Sequence, residues 1–191
     1  YEIQRCDWSS DVCSSDLSDT KPPEDRTFPD DGALHAFLEG YVTETGNPKN
    51  RLNVSHVEVF LPAAILQKGV VLVDTPGIGS TFRHNTEATL NFLSQCDAAL
   101  FIVSADPPVT EVEIEFLGQV RTKVPHLCFI MNKVDYLDSS ERATALEFFG
   151  QVLASHGGLA TPAEIFSVSA RRGLKGRLAN DPLLWKESGL E

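Results

Sequence analysis

The chain has 191 residues, with 27 Asp and Glu against 16 Lys and Arg and a net charge of −11 at pH 7. That length suits one domain with a sizeable core, and the acidity argues against non-specific nucleic-acid binding. No apolar run approaches the ~20 residues that a membrane-spanning helix needs.

Residues 1–17 stand apart. Asp7 to Leu17, D-W-S-S-D-V-C-S-S-D-L, matches residue for residue the translation of an indexed adapter of a short-read sequencing library. Tyr1-Glu2-Ile3 fits the preceding adapter triplets, and Gln4 and Arg5 fall in its variable index. The segment has no apolar core, so it is not a signal peptide, and it is set aside from the fold as non-native. Glu2, Asp7, Asp11 and Asp16 against Arg5 give it a net of −3, so −8 of the −11 stays with residues 18–191. Cys6 and Cys13 belong to it, leaving Cys96 and Cys128 in or beside apolar runs. Two buried thiols with no ligand spacing point to a reducing, cytoplasmic compartment and to no cysteine metal site.

Ser18 to Gly32 is polar and carries three prolines, so it reads as loop. Leu34, Phe37 and Leu38 at helical spacing predict a short helix over Ala33 to Glu39, and Asn47 to Asn50 is turn material. Val54 to Leu61 alternates and reads as a strand. Val70 to Val73, rich in β-branching and bounded by Gly69, reads as a strand buried on both faces. The link Pro62 to Lys68 is too short for a parallel crossover, so these two strands are expected to pair antiparallel.

At the carboxyl end of the Val70 strand sit Asp74, Thr75, Pro76 and Gly77, a D-x-x-G element. An acid at that sheet edge can hold a magnesium ion, usually through water, and Gly77 lets a backbone N–H approach a phosphate closely. Alone, the four residues read equally well as a Pro-Gly turn.

Further on, Thr86 to Ser94 reads as an amphipathic helix and Ala98 to Val103 as a strand. Thr110 to Val120 reads as a second helix, opened by Thr110 and Glu113 at capping-box spacing. Leu127 to Met131 is another apolar strand, and it ends in Asn132-Lys133-Val134-Asp135. N-K-x-D at a strand's end suits a guanine base. The Asp135 carboxylate can accept from both the ring N–H and the exocyclic amine, a donor pair that adenine lacks. The Lys133 stem can lie along the base, and the Asn132 amide can brace the neighbouring loops. A third helix is expected over Ser139 to Ala154, ended at His156-Gly157-Gly158. The strand Ile165 to Val168 then leads into Ser169-Ala170-Arg171, where a backbone N–H would meet the guanine carbonyl oxygen. Three nucleotide elements in order, each after a strand, are the context that separates a motif from chance.

The phosphate-cradling G-x-x-x-x-G-K-[ST] does not occur in the sequence, and no switch threonine can be placed. With an adapter at residue 1, the expectation is a gene fragment that starts after both elements and stops at Glu191 without a domain end. Such a fragment alone is expected to be inactive, with one face of its sheet uncovered. Ile78 follows Gly77 where Ras-type proteins place a water-orienting glutamine, and an apolar side chain cannot do that work. The catalytic residue is left unassigned.

Taken together, D-T-P-G-I-G-S-T-F-R-H-N, C-D-A-A-L-F-I-V-S-A-D-P-P-V-T-E, N-K-V-D-Y-L and F-S-V-S-A-R-R-G-L resemble the G domain of bacterial dynamin-like proteins, from about Phe37 to Glu191. The resemblance implies an α/β P-loop GTPase fold of Ras-like type, with a mostly parallel sheet, helices on both faces, and both ends incomplete. On this reading residues 18–191 are a partial G domain of a large GTPase using GTP and Mg2+. Asp74, Thr75, Pro76, Gly77, Asn132, Lys133, Asp135, Ser169 and Ala170 form its GTP site, and Asp74 serves the metal. It further implies hydrolysis stimulated when G domains pair as homo-oligomers, with Arg83 in Ser80 to Asn85 the switch candidate. Membrane remodelling, through regions outside this chain and peripheral to the inner membrane, also follows from the resemblance. Two other readings stand beside it: a GTPase of ribosome or tRNA-modification type, and a non-catalytic nucleotide-sensing scaffold.

Overall fold

The computed structural model describes residues 2–8, 24–52, 54–75, 90, 92–106, 109–156 and 163–191. They fall into two compact units, Tyr1–Val73 and Asp74–Glu191.

The first unit is an antiparallel sheet with β1 (Glu2–Trp8) between β2 (Glu24–Thr27) and β3 (Val54–Phe60). β3 lies where the alternation placed it. Its partner is a correction, because Arg5 pairs with Glu58 and Cys6 with Val57, inside the residues set aside as adapter-like. β2 likewise lies within the stretch expected to be loop. Main-chain N–H and C=O groups at an open edge pair with any extended backbone, whatever its side chains, so an apolar pattern is not needed to recruit a strand.

Helix α1 (Asp31–Val42) runs longer than its apolar spacing predicts, because Asp30 caps it by accepting from the Ala33 N–H at 2.9 Å. Its buried Leu34 packs with Phe28, Phe37, Leu38, Val57 and Val59, which seats the helix on β3. The connection back to β3 is closed by amides. Buried Asn47 donates to the Tyr41 carbonyl at 2.9 Å and accepts from the Leu52 N–H at 2.9 Å, and Asn50 bonds both backbone groups of Val54.

Val70 to Val73 is not a strand. It has no regular structure and is exposed, Val71 by 79%. β-branching expresses a fit to a half-buried pleated surface, and that fit is realised only where backbone partners exist. Among the described residues none pairs with this run, and β3 has taken β1 instead.

The second unit is a parallel sheet, β4 (Ala98–Ser104), β5 (His126–Asn132) and β6 (Ile165–Ser167), in that order. Helices α2 (Glu111–Arg121) and α3 (Ser139–His156) cover one face. Phe101 and Val103 of β4 and Phe129 and Met131 of β5 point into that core, meeting Phe116, Leu117, Val120, Phe149 and Leu153. The Phe129 ring stands edge-on to Phe101 at 6.3 Å and to Phe149 at 6.2 Å, an arrangement that aromatic quadrupoles favour. Arg142 of α3 donates to the Ser167 hydroxyl, tying that helix to β6.

On the opposite face Leu100 is exposed by 60% and Ile102 by 55%. Cys128 lies exposed on β5 and Cys96 is only partly buried, which corrects the expectation of two buried thiols. Strand alternation is the reason: Cys128 precedes inward Phe129 and so points the other way. Leu90, Phe92 and Leu93 are helical, and Leu93 enters the core. The rest of the Thr86 to Ser94 helix, apart from Ser94 itself, and the Gly157-Gly158 stop lie outside the described residues.

Helix α4 (Ala170–Ala179) and helix α5 (Pro182–Glu187) complete the chain as a hairpin that sequence reasoning did not place. Its signals were legible, since Asp181-Pro182 is an N-cap followed by proline in the first helical position.

Thr110 caps α2 as expected: its hydroxyl accepts from the Glu113 N–H at 3.3 Å, and Glu113 Oε2 accepts from the Thr110 N–H at 2.7 Å. Thr110→Ala should lower stability by about 1 kcal/mol, read from the urea midpoint at unchanged slope. An unmoved midpoint would mean that the box adds nothing here.

Candidate nucleotide-binding site

The site grows out of the parallel ladder. Ser104 stands opposite Asn132, and Met131 opposite Ser167, so the three strands end close to one level. The backbone zip continues past them: Val168 N–H donates to Met131 O at 2.8 Å, Val134 N–H to Val168 O at 3.3 Å, and Ala105 N–H to Asn132 O at 2.8 Å. Lys133 turns the chain in a left-handed conformation (φ 64), which starts the short 3-10 turn Val134–Tyr136 and brings Asp135 back over the strand ends.

Asn132 braces the loops in the way its amide suggests. Its Oδ1 accepts from its neighbour Lys133 N–H at 2.7 Å and from Ala170 N–H across the sheet at 3.0 Å. The Ala170 N–H is therefore engaged within the site, and a ligand that used it would share or replace the Asn132 contact.

Ser169 is the junction. It is 1% exposed, its hydroxyl donates to Asp135 Oδ1 at 2.6 Å, and the same oxygen accepts from the Arg172 N–H at 3.2 Å as the cap of α4. This hydroxyl does most to hold the Asp135 carboxyl below its ordinary value of 3.8. Partial burial pulls the other way, while the residue's own N–H and then the charges of Arg172 and Arg171 lower it further. Asp135 is thus an ionised acceptor with one oxygen engaged from behind. Lys133 is exposed beside it.

The D-x-x-G residues do not join this cluster on the same footing. Asp74 and Thr75 are exposed and outside regular structure. Pro76, Gly77, Ile78 and Arg83 lie outside the described residues. No group of three or more His, Cys, Asp or Glu side chains converges among the described residues. Asp74 is a single carboxylate, and magnesium asks for six oxygen ligands. This chain's described side chains therefore do not make a metal site by themselves.

Ordered strand ends, a braced N-K-x-D turn and a capping serine thus lie together at one edge of the parallel sheet, in a fold of the P-loop GTPase class. A model of the dynamin family matches residues 29–134, more than half of the chain, and the chain belongs to that family. It is 38% identical over 157 residues to the "Uncharacterized protein in xynA 3'region" of Caldicellulosiruptor sp. (strain Rt8B.4), covering 81% of this chain and 38% of that protein. It is 32% identical over 133 residues to the probable transmembrane GTPase FZO-like, chloroplastic, of Arabidopsis thaliana, covering 67% of this chain and 14% of that protein. Dynamin-like protein A of Bacillus subtilis (strain 168) is 30% identical over 93 residues, 49% of this chain and 8% of that protein. The chain thus spans well under half the length of each of these relatives.

The Asp135 titration tests the junction. A carboxyl whose folded pKa is depressed stabilises the fold above its unfolded value, and that contribution is lost as pH falls from about 3.8 through the folded value. In Ser169→Ala the Asp135 pKa, followed by carboxyl NMR, should rise toward 3.8, and the acid-dependent part of the stability loss should shrink. A titration identical to that of the parent would assign the shift to another cause.

Proposed function

We propose that this chain is the base-binding part of a dynamin-like G domain that binds and hydrolyses GTP. The observation that supports this best is the 2.6 Å bond from the buried Ser169 hydroxyl to Asp135, beside an Asn132 that braces both loops. It leaves an ionised acceptor fixed where a guanine edge would present two donors. An adenine there would leave the carboxylate facing an acceptor and unpaired, a loss larger than any shape mismatch of similar size.

Asn132, Lys133, Asp135, Ser169 and Ala170 hold the base on this reading. Asp74, Thr75, Pro76 and Gly77 serve the phosphate end, where Asp74 reaches magnesium through water and the nucleotide's oxygens supply most of the remaining ligands. Ile78 offers no hydrogen bond to an attacking water, so the water is oriented by a backbone group, a partner subunit or a phosphate-loop residue. Pairing of G domains would then supply the missing stimulation, with Ser80 to Asn85 as the segment that responds to the γ-phosphate. Membrane remodelling by regions outside this chain belongs to the same proposal.

Guanine specificity is tested in the full-length protein by Asp135→Asn. GTP binding should weaken by about 2–5 kcal/mol, and preference should move toward xanthosine triphosphate, because the amide presents a donor where the carboxylate accepted. A mutant that binds GTP as tightly as its parent would place the base reader elsewhere.

Arg83→Ala tests the pairing. The rise of specific activity with protein concentration should disappear, while the rate per molecule in dilute solution stays nearly unchanged. A uniform loss at every concentration would move Arg83 into the nucleotide site, and no change would make it an ordinary solvated residue.

A further inference from the structure

The guanine-reading pair is held from a side that no nucleotide motif reaches. Ser169 is fixed at three points: its hydroxyl bonds Asp135 and the Arg172 N–H, and its own N–H donates to the Ser188 carbonyl at 2.8 Å. Ser188 is 1% exposed and follows the whole α4–α5 hairpin in sequence, yet meets Ser169 in space.

The fit that brings Ser188 there depends on three glycines. A Cβ on Gly189, which has φ +73, would lie 2.5 Å from the Ser167 carbonyl oxygen. A Cβ on Gly176 would lie 2.7 Å from the Trp185 backbone nitrogen, so α5 sits directly on the α4 backbone. A Cβ on Gly173 would meet the Leu190 side chain and the Ser188 hydroxyl. The turn is also closed on itself: the Ser188 hydroxyl donates to Trp185 O at 2.5 Å and accepts from the Leu190 N–H at 3.2 Å. Arg177 stacks over the Trp185 ring at 4.0 Å, and Asp181 N–H donates to Gly176 O at 2.8 Å, which locks the hairpin.

We propose that the Ser188-Gly189 turn is a positioning element for base selection, setting Ser169 and through it the Asp135 carboxylate. The proposal rests on the guanine reading given above. If the turn moves, the buried Ser169 N–H loses its acceptor, and the residue must rotate or leave that group unpaired. An unpaired buried N–H is costly, so the residue rotates to a new acceptor, its hydroxyl leaves Asp135, and the carboxylate is free to swing. The effect falls on discrimination between bases, because the turn bonds to the base-reading loop and to β6.

The test uses the full-length protein and compares affinities for GDP and for inosine diphosphate, which lacks the exocyclic amine that Asp135 accepts from. Asp135→Ala should bring the two affinities close together. Gly189→Ala, whose Cβ displaces the turn, should cut the preference for GDP by about tenfold, the worth of one hydrogen bond to a charged group. Ser188→Ala, a milder change that removes only the hydroxyl's two bonds, should cut it in the same direction and decides the matter if Gly189→Ala does not fold. Loss of packing alone lowers the folded fraction and leaves the ratio of the two affinities unmoved. A parental ratio in folded turn variants, with the ratio lost in Asp135→Ala, overturns the positioning role. A parental ratio in Asp135→Ala overturns the guanine reading, and the positioning role with it.

Discussion

The in-register parallel ladder from β4 through β5 to β6 is the constraint on which the site depends. Side chains alternate along a strand, so a slip of one residue would turn Phe129 and Met131 out of the core and Cys128 and Ile130 into it. The packing of Phe129 between Phe101 and Phe149 opposes that slip. With the register fixed, Asn132 lies opposite Ser104 and Val168 bonds back to Met131, so the two loops leave the sheet side by side. Asp135 and Ser169 are 34 positions apart in sequence, and the ladder brings their loops together.

Within the site, magnitudes decide what holds Asp135. Arg171 is exposed and Arg172 only partly buried, and exposed ion pairs contribute roughly 0–1 kcal/mol because water and salt screen them. A hydrogen bond to a charged group contributes about 1.5–3 kcal/mol, and the 2.6 Å separation is short in the manner of hydroxyl-to-carboxylate bonds. The hydroxyl therefore outweighs either guanidinium. It is also directional, where a screened charge is not, so it sets the orientation of the carboxylate. The same oxygen caps α4, so the helix start and the carboxylate position are set by one atom.

The elements that could be read from sequence were those whose evidence is local. Thr110 and Glu113 are three residues apart and form the capping box that their spacing announces. N-K-V-D and S-A-R each follow an apolar strand, and the strands formed within a residue or two of their expected ends. The bond from Ser169 to Asp135 was not legible, because neither residue's own neighbourhood indicates that a hydroxyl would face a carboxylate across two loops. The hairpin of α4 and α5 was legible only in part. Asp181-Pro182 marks a helix start, whereas the role of Gly173 and Gly176 emerges only when the second helix lies against them.

Val70 to Val73 shows why an apolar run and a strand are different statements. Composition records that a segment gains from leaving water, about 1.5–3 kcal/mol for each large aliphatic side chain fully buried. It does not record which backbone will accept its N–H groups. β4 meets both conditions on one face, where Phe101 and Val103 are buried, while Leu100 and Ile102 on the other remain exposed. The Val70 run meets neither, with Val71 and Leu72 largely exposed. Glu2–Trp8 is the converse: a polar segment that supplies main-chain partners to β3 and so becomes a strand. In this chain hydrogen-bond partnership, more than apolar content, decides which extended segments join a sheet.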